Sequence, residues 1–190
     1  MKQKKELNGK RVLKIALLVV IGAIFLFCFM LYATVKTKST SLSKITPFQE
    51  IINNPLTLVR DVELFVEEFP SNDDFPNLIT DRYQRNYQNL HERLTIEEPD
   101  AKFIVKIPAG QQVVFTKATM YTNGVSGSSK PCLFGNIEYA GKVYKVEYQW
   151  GDQSIGRRFD KIPESWSFPM APWQSAIDLK FYKLPIAEWW

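Results

Sequence analysis

The 190-residue chain carries 24 basic and 20 acidic residues, a net charge of +4, two cysteines and one histidine. A single histidine and no cysteine pair exclude the usual zinc sites, and leave Ser-His-Asp or Cys-His chemistry dependent on His91 alone. The positive balance suggests nucleic acid only until it is located: residues 1–14 hold six basic side chains against Glu6, whereas residues 36–190 hold eighteen basic and nineteen acidic, so no nucleic-acid partner is expected.

Residues 1–14 read as a cytoplasmic basic tail. Residues 15–35 are uncharged, and at ~1.5 Å per residue such a run matches the ~30 Å hydrocarbon layer, so they predict a transmembrane helix. A cleaved signal peptide would have a shorter apolar region and small residues at its exit, where this chain has Leu31-Tyr32-Ala33. A lipoprotein would need small residues before Cys28, which follows Phe25-Leu26-Phe27. Basic residues stay cytoplasmic, so the expectation is a signal-anchored, single-pass protein of a bacterial inner (cytoplasmic) membrane with residues 36–190 outside, in the periplasm or beyond. The absence of any Asn-x-Ser/Thr acceptor or disulfide pair in that part agrees with a bacterial envelope.

Residues 36–44 are polar and hydroxyl-rich and read as a tether. Residues 45–100 are expected to be mostly helical. Thr46-Pro47-Phe48-Gln49 combines a capping hydroxyl, proline at the first helical position and glutamine three residues on, so a short helix should run to Asn53-Asn54. Residues 56–69 suit helix or strand. Ile79, Tyr83, Tyr87, Leu90 and Leu94 recur at steps of three and four, predicting a helix over 77–94.

From Ala101 the period becomes two. Strands are expected over 103–107, over 114–120 with Val114, Thr116, Ala118 and Met120 on one face, over 133–139, over 142–150 after a tight Ala140-Gly141 turn, and over 177–182. Asn123 to Lys130 is rich in Gly and Ser but lacks a Gly-Lys-Ser/Thr ending, and reads as a hairpin loop rather than a phosphate cradle. The fold class is therefore α+β: one transmembrane helix, then a single domain of two or three helices and a small antiparallel sheet over 101–190 that loosely resembles an SH3-like barrel.

Cys132 follows Pro131 in an apolar run and reads as a small buried hydrophobe, and His91 as a surface residue. The adjacent carboxylates Glu67-Glu68, Asp73-Asp74 and Glu97-Glu98 point apart in any regular element. No catalytic residue, metal or cofactor is assigned. Residues 61–100 hold eleven acidic against three basic side chains, and residues 101–190 seven against eleven, a polarity that could steer a charged partner or be spent inside the domain. Residues 162–190 are crowded with aromatics and prolines, and Trp and Arg are enriched where proteins grip one another. Arg157, Arg158, Trp166, Trp173, Trp189 and Trp190 are the candidate partner-binding residues. The expected function is a non-enzymatic, membrane-anchored protein-binding module, such as an envelope-complex subunit or a toxin-immunity protein. The alternatives are a carboxylate-dependent hydrolase of envelope polymers and an SH3-like binder of cell-wall peptide.

Overall fold

The structure is a computed structural model in which residues 9–186 are described; Trp189, Trp190 and most of the basic tail lie outside them. The described chain forms two compact units, residues 9–37 with Asn123–Gly127, and residues 38–122 with 128–186. The first unit is helix α1, Gly9–Val35, with no buried residue. It is long and apolar enough to cross a membrane. Near its C-terminal end the Thr34 hydroxyl is satisfied within the helix, since Oγ1 donates to the carbonyls of Met30 and Leu31. In the Asn123–Gly127 loop, the Asn123 side chain accepts from the amides of Val125 and Ser126.

The second unit is built on a mixed sheet. Its strands are β1 (Lys38–Ser41), β2 (Pro55–Thr57), β3 (Val62–Glu67), β4 (Asn77–Thr80), β5 (Ala101–Ile107), β6 (Gln112–Thr122), β7 (Ser129–Tyr139) and β8 (Lys142–Gln149). The order is β1-β6-β7-β8-β4-β3-β5, with β2 pairing another stretch of β6. β1 and β5 are edges, so the sheet is open where a closed SH3-like barrel was expected. It is also not wholly antiparallel, because β4 lies parallel to β8. Helix α2 (Tyr87–Arg93) and a single 3₁₀ turn, Phe48–Glu50, accompany it.

The strand readings of 101–107, 133–139 and 142–150 are borne out, and Ala140 and Gly141, both at positive φ, make the tight turn between β7 and β8. Residues 45–100 are not mostly helical: they supply β2, β3 and β4 beside the short α2. The spacing that suggested a helix over 77–94 is divided between elements. Asp81 turns the chain after β4 by accepting from the Tyr83 amide, and only residues 87–93 continue as helix. Ile79 and Leu90 are both buried, one from the strand and one from the helix. The 36–44 tether is also corrected. Lys38–Ser41 pairs with β6 from Thr122 to Thr119, Leu42 is fully buried, and the Ser43 hydroxyl accepts from the Ala118 amide. Around Pro47, Gln49 Nε2 does reach Thr46 Oγ1 at 2.9 Å, but the helix it caps is one turn long.

β6 shows why simple alternation failed there. A bulge between Phe115 and Lys117 moves the apolar face from Val113 and Phe115 to Ala118 and Met120, leaving Thr116 outside. Gly135 stands opposite on β7, and any Cβ there would lie 2.0 Å from the Val114 carbonyl oxygen. The main core gathers Val113, Phe115, Leu133, Ile137, Val146 and Tyr148 with Phe48, Trp150, Trp166 and Phe168. Burying each such side chain contributes about 1.5–3 kcal/mol.

Two polar groups inside this unit decide much of its stability. Arg60 makes five hydrogen bonds: Nε and Nη2 donate to Asp81 Oδ2, Nη2 also to the carbonyls of Met170 and Ala171, and Nη1 to the carbonyl of Gln174. The Val59 amide donates to Pro172 O beside it, so the 170–174 segment is fastened to residues 59–60. The other group is Glu147, 3% exposed, on the sheet face opposite the main core with Cys132 and Phe134. The residues between β3 and β4 contact this region: Phe75 packs 5.2 Å from Phe134, and Asn72 donates to the Tyr121 hydroxyl. Burial pushes the Glu147 carboxyl above its ordinary range, opposed by Cys132, Lys130, Ser71 and Gln149. Burial likewise pushes the Cys132 thiol up, which suits an inert core residue.

Replacing Arg60 by alanine leaves the Asp81 carboxylate buried and unpaired, and is expected to cost about 3–5 kcal/mol in denaturant unfolding of the full chain. Arg60→Lys should recover only part, because one ammonium cannot reproduce the fork; a loss below about 1 kcal/mol for alanine would refute the assignment. For Glu147, the folded chain holds the proton more tightly than the unfolded chain, so stability declines as pH rises past the ordinary value of 4.5. Glu147→Gln should therefore raise Tm at neutral pH, with the difference from wild type vanishing below about pH 4. An unchanged or lower Tm at neutral pH would contradict it.

Candidate functional site

The last part of the chain forms a three-stranded sheet of its own. Strands β9 (Asp152–Gln153), β10 (Trp166–Phe168) and β11 (Asp178–Tyr182) lie in the order β11-β10-β9, with helix α3 (Ile155–Phe159) following β9. The Ser154 hydroxyl accepts from the Arg157 amide and starts the helix. β11 bulges, since three of its residues, Leu179 to Phe181, stand against Ser167 alone. The strand expected over 177–182 is present as β11, but its sides do not alternate: Leu179, Lys180 and Phe181 are all exposed. Ile177, Leu179 and Phe181 are exposed, while Tyr182 packs on Phe168 and donates to the Asp178 carboxylate. That bond holds Asp178 below the usual carboxylate range and pushes the Tyr182 phenol up to about 12.

The six candidate residues separate here. Arg157 lies on α3 with its guanidinium 4.3 Å from the Phe181 ring centre, and its Nε donates to the Glu164 carbonyl. Among the described residues, the Arg158 side chain donates only to the neutral Gln153 side chain, at 3.4 Å. Neither arginine forms an ion pair among the described residues, so they do not neutralise the acidic segment of their own domain. Trp166 is 1% exposed and belongs to the core, which leaves almost no ring surface for a partner. Trp173 is half-buried against Phe115, Tyr148 and Trp150, at 5.0–5.7 Å between ring centres. Trp189 and Trp190 lie outside the described residues. Arg158 and Trp166 do share a cleft, of about 380 Å³, with Lys161, Lys183 and the 184–186 segment.

The sequence candidates did not include Ile155 and Phe159, which are 84% and 86% exposed, nor Leu179 at 81%, although Phe159 follows the Arg157-Arg158 pair directly and Leu179 falls in the expected final strand. The Ile155–Phe159 step of four was the available signal, since it places two large apolar side chains on one face of a helix. On so short a helix nothing in the sequence tells whether that face is covered.

A second cleft, of about 320 Å³, is lined by Arg60, Asp61, Glu63, Asp81, Arg82, Tyr87 and Lys106. Each of its carboxylates has a side-chain partner within the chain. Asp81 faces Arg60 at 3.1 Å, Asp61 faces Lys106 at 3.0 Å, and Glu63 faces His91 Nε2 at 2.8 Å. Lys106 holds the Asp61 carboxyl below its ordinary range. His91, expected at the surface, is half-exposed and stacked 4.5 Å from Tyr87 as well as bonded to Glu63. The described residues hold no group of His, Cys, Asp and Glu suited to a metal ion. No family model matches the chain, and no curated protein or solved structure does so either.

Proposed function

We propose that this chain is a membrane-anchored, extracytoplasmic protein-binding module. In this role α1 spans the inner (cytoplasmic) membrane of a bacterium, residues 1–14 remain in the cytoplasm, and the sheet-bearing unit grips another envelope protein. An accessory subunit of an envelope complex and an immunity protein that blocks a toxin at the membrane both fit this description. The observation that carries it is the outward apolar set on α3 and β11: Ile155, Phe159 and Leu179, beside two arginines without ion-pair partners among the described residues. Large exposed apolar side chains cost solubility and are commonly placed where a partner covers them. Arginine beside them supplies directional donors of the kind enriched in binding hot spots.

A carboxylate-dependent hydrolase would draw on the cleft around Glu63, whose carboxylates instead already have side-chain partners in the same chain, Asp81 with Arg60, Asp61 with Lys106 and Glu63 with His91. That match favours binding over acid–base work at that place. The SH3-like wall-peptide alternative draws no support from the open sheet.

The topology predicts that an enzyme reporter active only outside the cytoplasm works when fused after Trp190; activity from a cytoplasm-only reporter at the same point would reverse the orientation. For the binding face, a photo-crosslinking residue placed at Phe159 or at Leu179 in living cells should yield one and the same protein adduct. Val143, 61% exposed on β8, should yield none. The double variant Phe159→Ser, Leu179→Ser should weaken that complex by at least roughly tenfold. Adducts at all three positions, or at Val143 only, would remove the face from consideration.

A further inference from the structure

We propose that the cleft between the end of α3 and the 183–186 segment takes an acidic and aliphatic stretch of the partner polypeptide, a carboxylate sitting among Arg158, Lys161 and Lys183. This rests on the protein-binding role above and names the chemistry of the bound segment. The three cations come from two separated parts of the chain, and among the described residues no carboxylate lines the cleft with them. Asp160 and Glu164 are neighbours in sequence but are not part of its lining. Among the described residues, Arg158, Lys161 and Lys183 form no ion pair. An anion entering here therefore meets positive charge that the fold has left unbalanced, unlike one entering the cleft around Glu63.

The backbone at Lys161 adds an independent sign. It stands at φ 57°, just past the helix, with its amide bonded to Arg158 O and the Ile162 amide bonded to Arg157 O. This left-handed C-terminal position is the one where glycine is the stable choice and a Cβ is costly. A lysine there keeps a cation at the cleft mouth against that preference.

The walls define the rest of the ligand. Ile162, Leu184 and Ile186 are aliphatic. A free phosphate would make no use of them, whereas a Glu or Asp beside a Leu or Val satisfies both kinds of lining. α3 and β11 carry the exposed apolar set on the same small sheet, so a polypeptide docked on Phe159 and Leu179 has a charged neighbour to engage. The partner's contact segment is accordingly anionic.

The test uses the full chain in zwitterionic lipid nanodiscs and a fluorescein-labelled peptide of repeating Glu-Val-Asp-Leu, followed by anisotropy at about 0.15 M salt. Saturable binding is expected, lost when Gln and Asn replace the acids, and weakened roughly tenfold by Arg158→Gln or Lys183→Gln. Lys161→Gly should lose affinity while its Tm equals or exceeds that of the wild type, which separates a binding role from a structural one. Failure of the wild-type chain to bind, equal binding of the neutral peptide, or undiminished binding by the charge variants would each overturn the proposal. So would selective loss of phosphatidylglycerol-vesicle or inorganic-phosphate binding in those variants without loss of peptide binding. If the Phe159 and Leu179 adducts persist unchanged in Arg158→Gln, Lys183→Gln, the cleft proposal falls while the protein-binding role stands. Peptide binding that depends on the cleft, with no adduct at either position, supports the cleft and removes the apolar face.

Discussion

One largely buried guanidinium governs how the 170–174 segment meets the sheet. Arg60 and Asp81 together remove two charges from water, a large cost that is offset only when every donor and acceptor finds a partner. Arg60 meets that condition by donating to three carbonyls of the 170–174 segment as well as to the carboxylate, so the pair is satisfied only when that segment is in place. The same segment places Trp173 against Phe115, Tyr148 and Trp150, and Trp150 donates its indole N–H to Pro169 O. Apolar packing supplies most of the stabilisation here, and the ion pair selects which loop conformation receives it.

The consequence is a separation of charge roles. Four acidic side chains of residues 61–100 pair with Lys or Arg of the same chain, Asp61 with Lys106, Asp81 with Arg60, and Glu67 and Asp100 both with Arg93. The cations of residues 157–183 form no ion pair among the described residues, although the neighbouring strand β10 is anchored in the core by Trp166 and Phe168. A rigid support with unspent charge and outward apolar side chains is the physical form that recognition of another chain requires.

Much of the β-rich half was legible because period-two alternation and the Ala140-Gly141 turn are local signals that the tertiary structure respects. The failures are equally local in origin. At β6 one extra residue reversed the inward face, and no propensity marks where a bulge will fall. In 77–94 the apolar spacing was real, but Asp81 was needed by Arg60, and a side chain committed to a distant cation turns the chain where a helix would otherwise have run. Lys38–Ser41 read as tether because a hydroxyl-rich edge strand has no apolar alternation, and Leu42 alone hinted at burial. At the site, Arg157 and Arg158 were visible as a basic pair beside aromatics. Trp166 was misjudged because a tryptophan in a proline-rich stretch looks the same whether it faces water or core.

The parallel seam between β4 and β8 carries a further meaning for how the molecule assembles. β6, β7 and β8 are joined by neighbouring hairpins, and β3 pairs with both β4 and β5, so each group closes through relatively local contacts. Only two residue pairs, Asn77 with Val146 and Leu78 with Glu147, stitch the groups into one sheet. Bringing together segments so far apart in the chain carries the larger loop-closure entropy, which places this step late in folding. The seam also contains the buried carboxylate of Glu147, so amide exchange at β4 is expected to report sub-global opening before the β6–β7 ladder does.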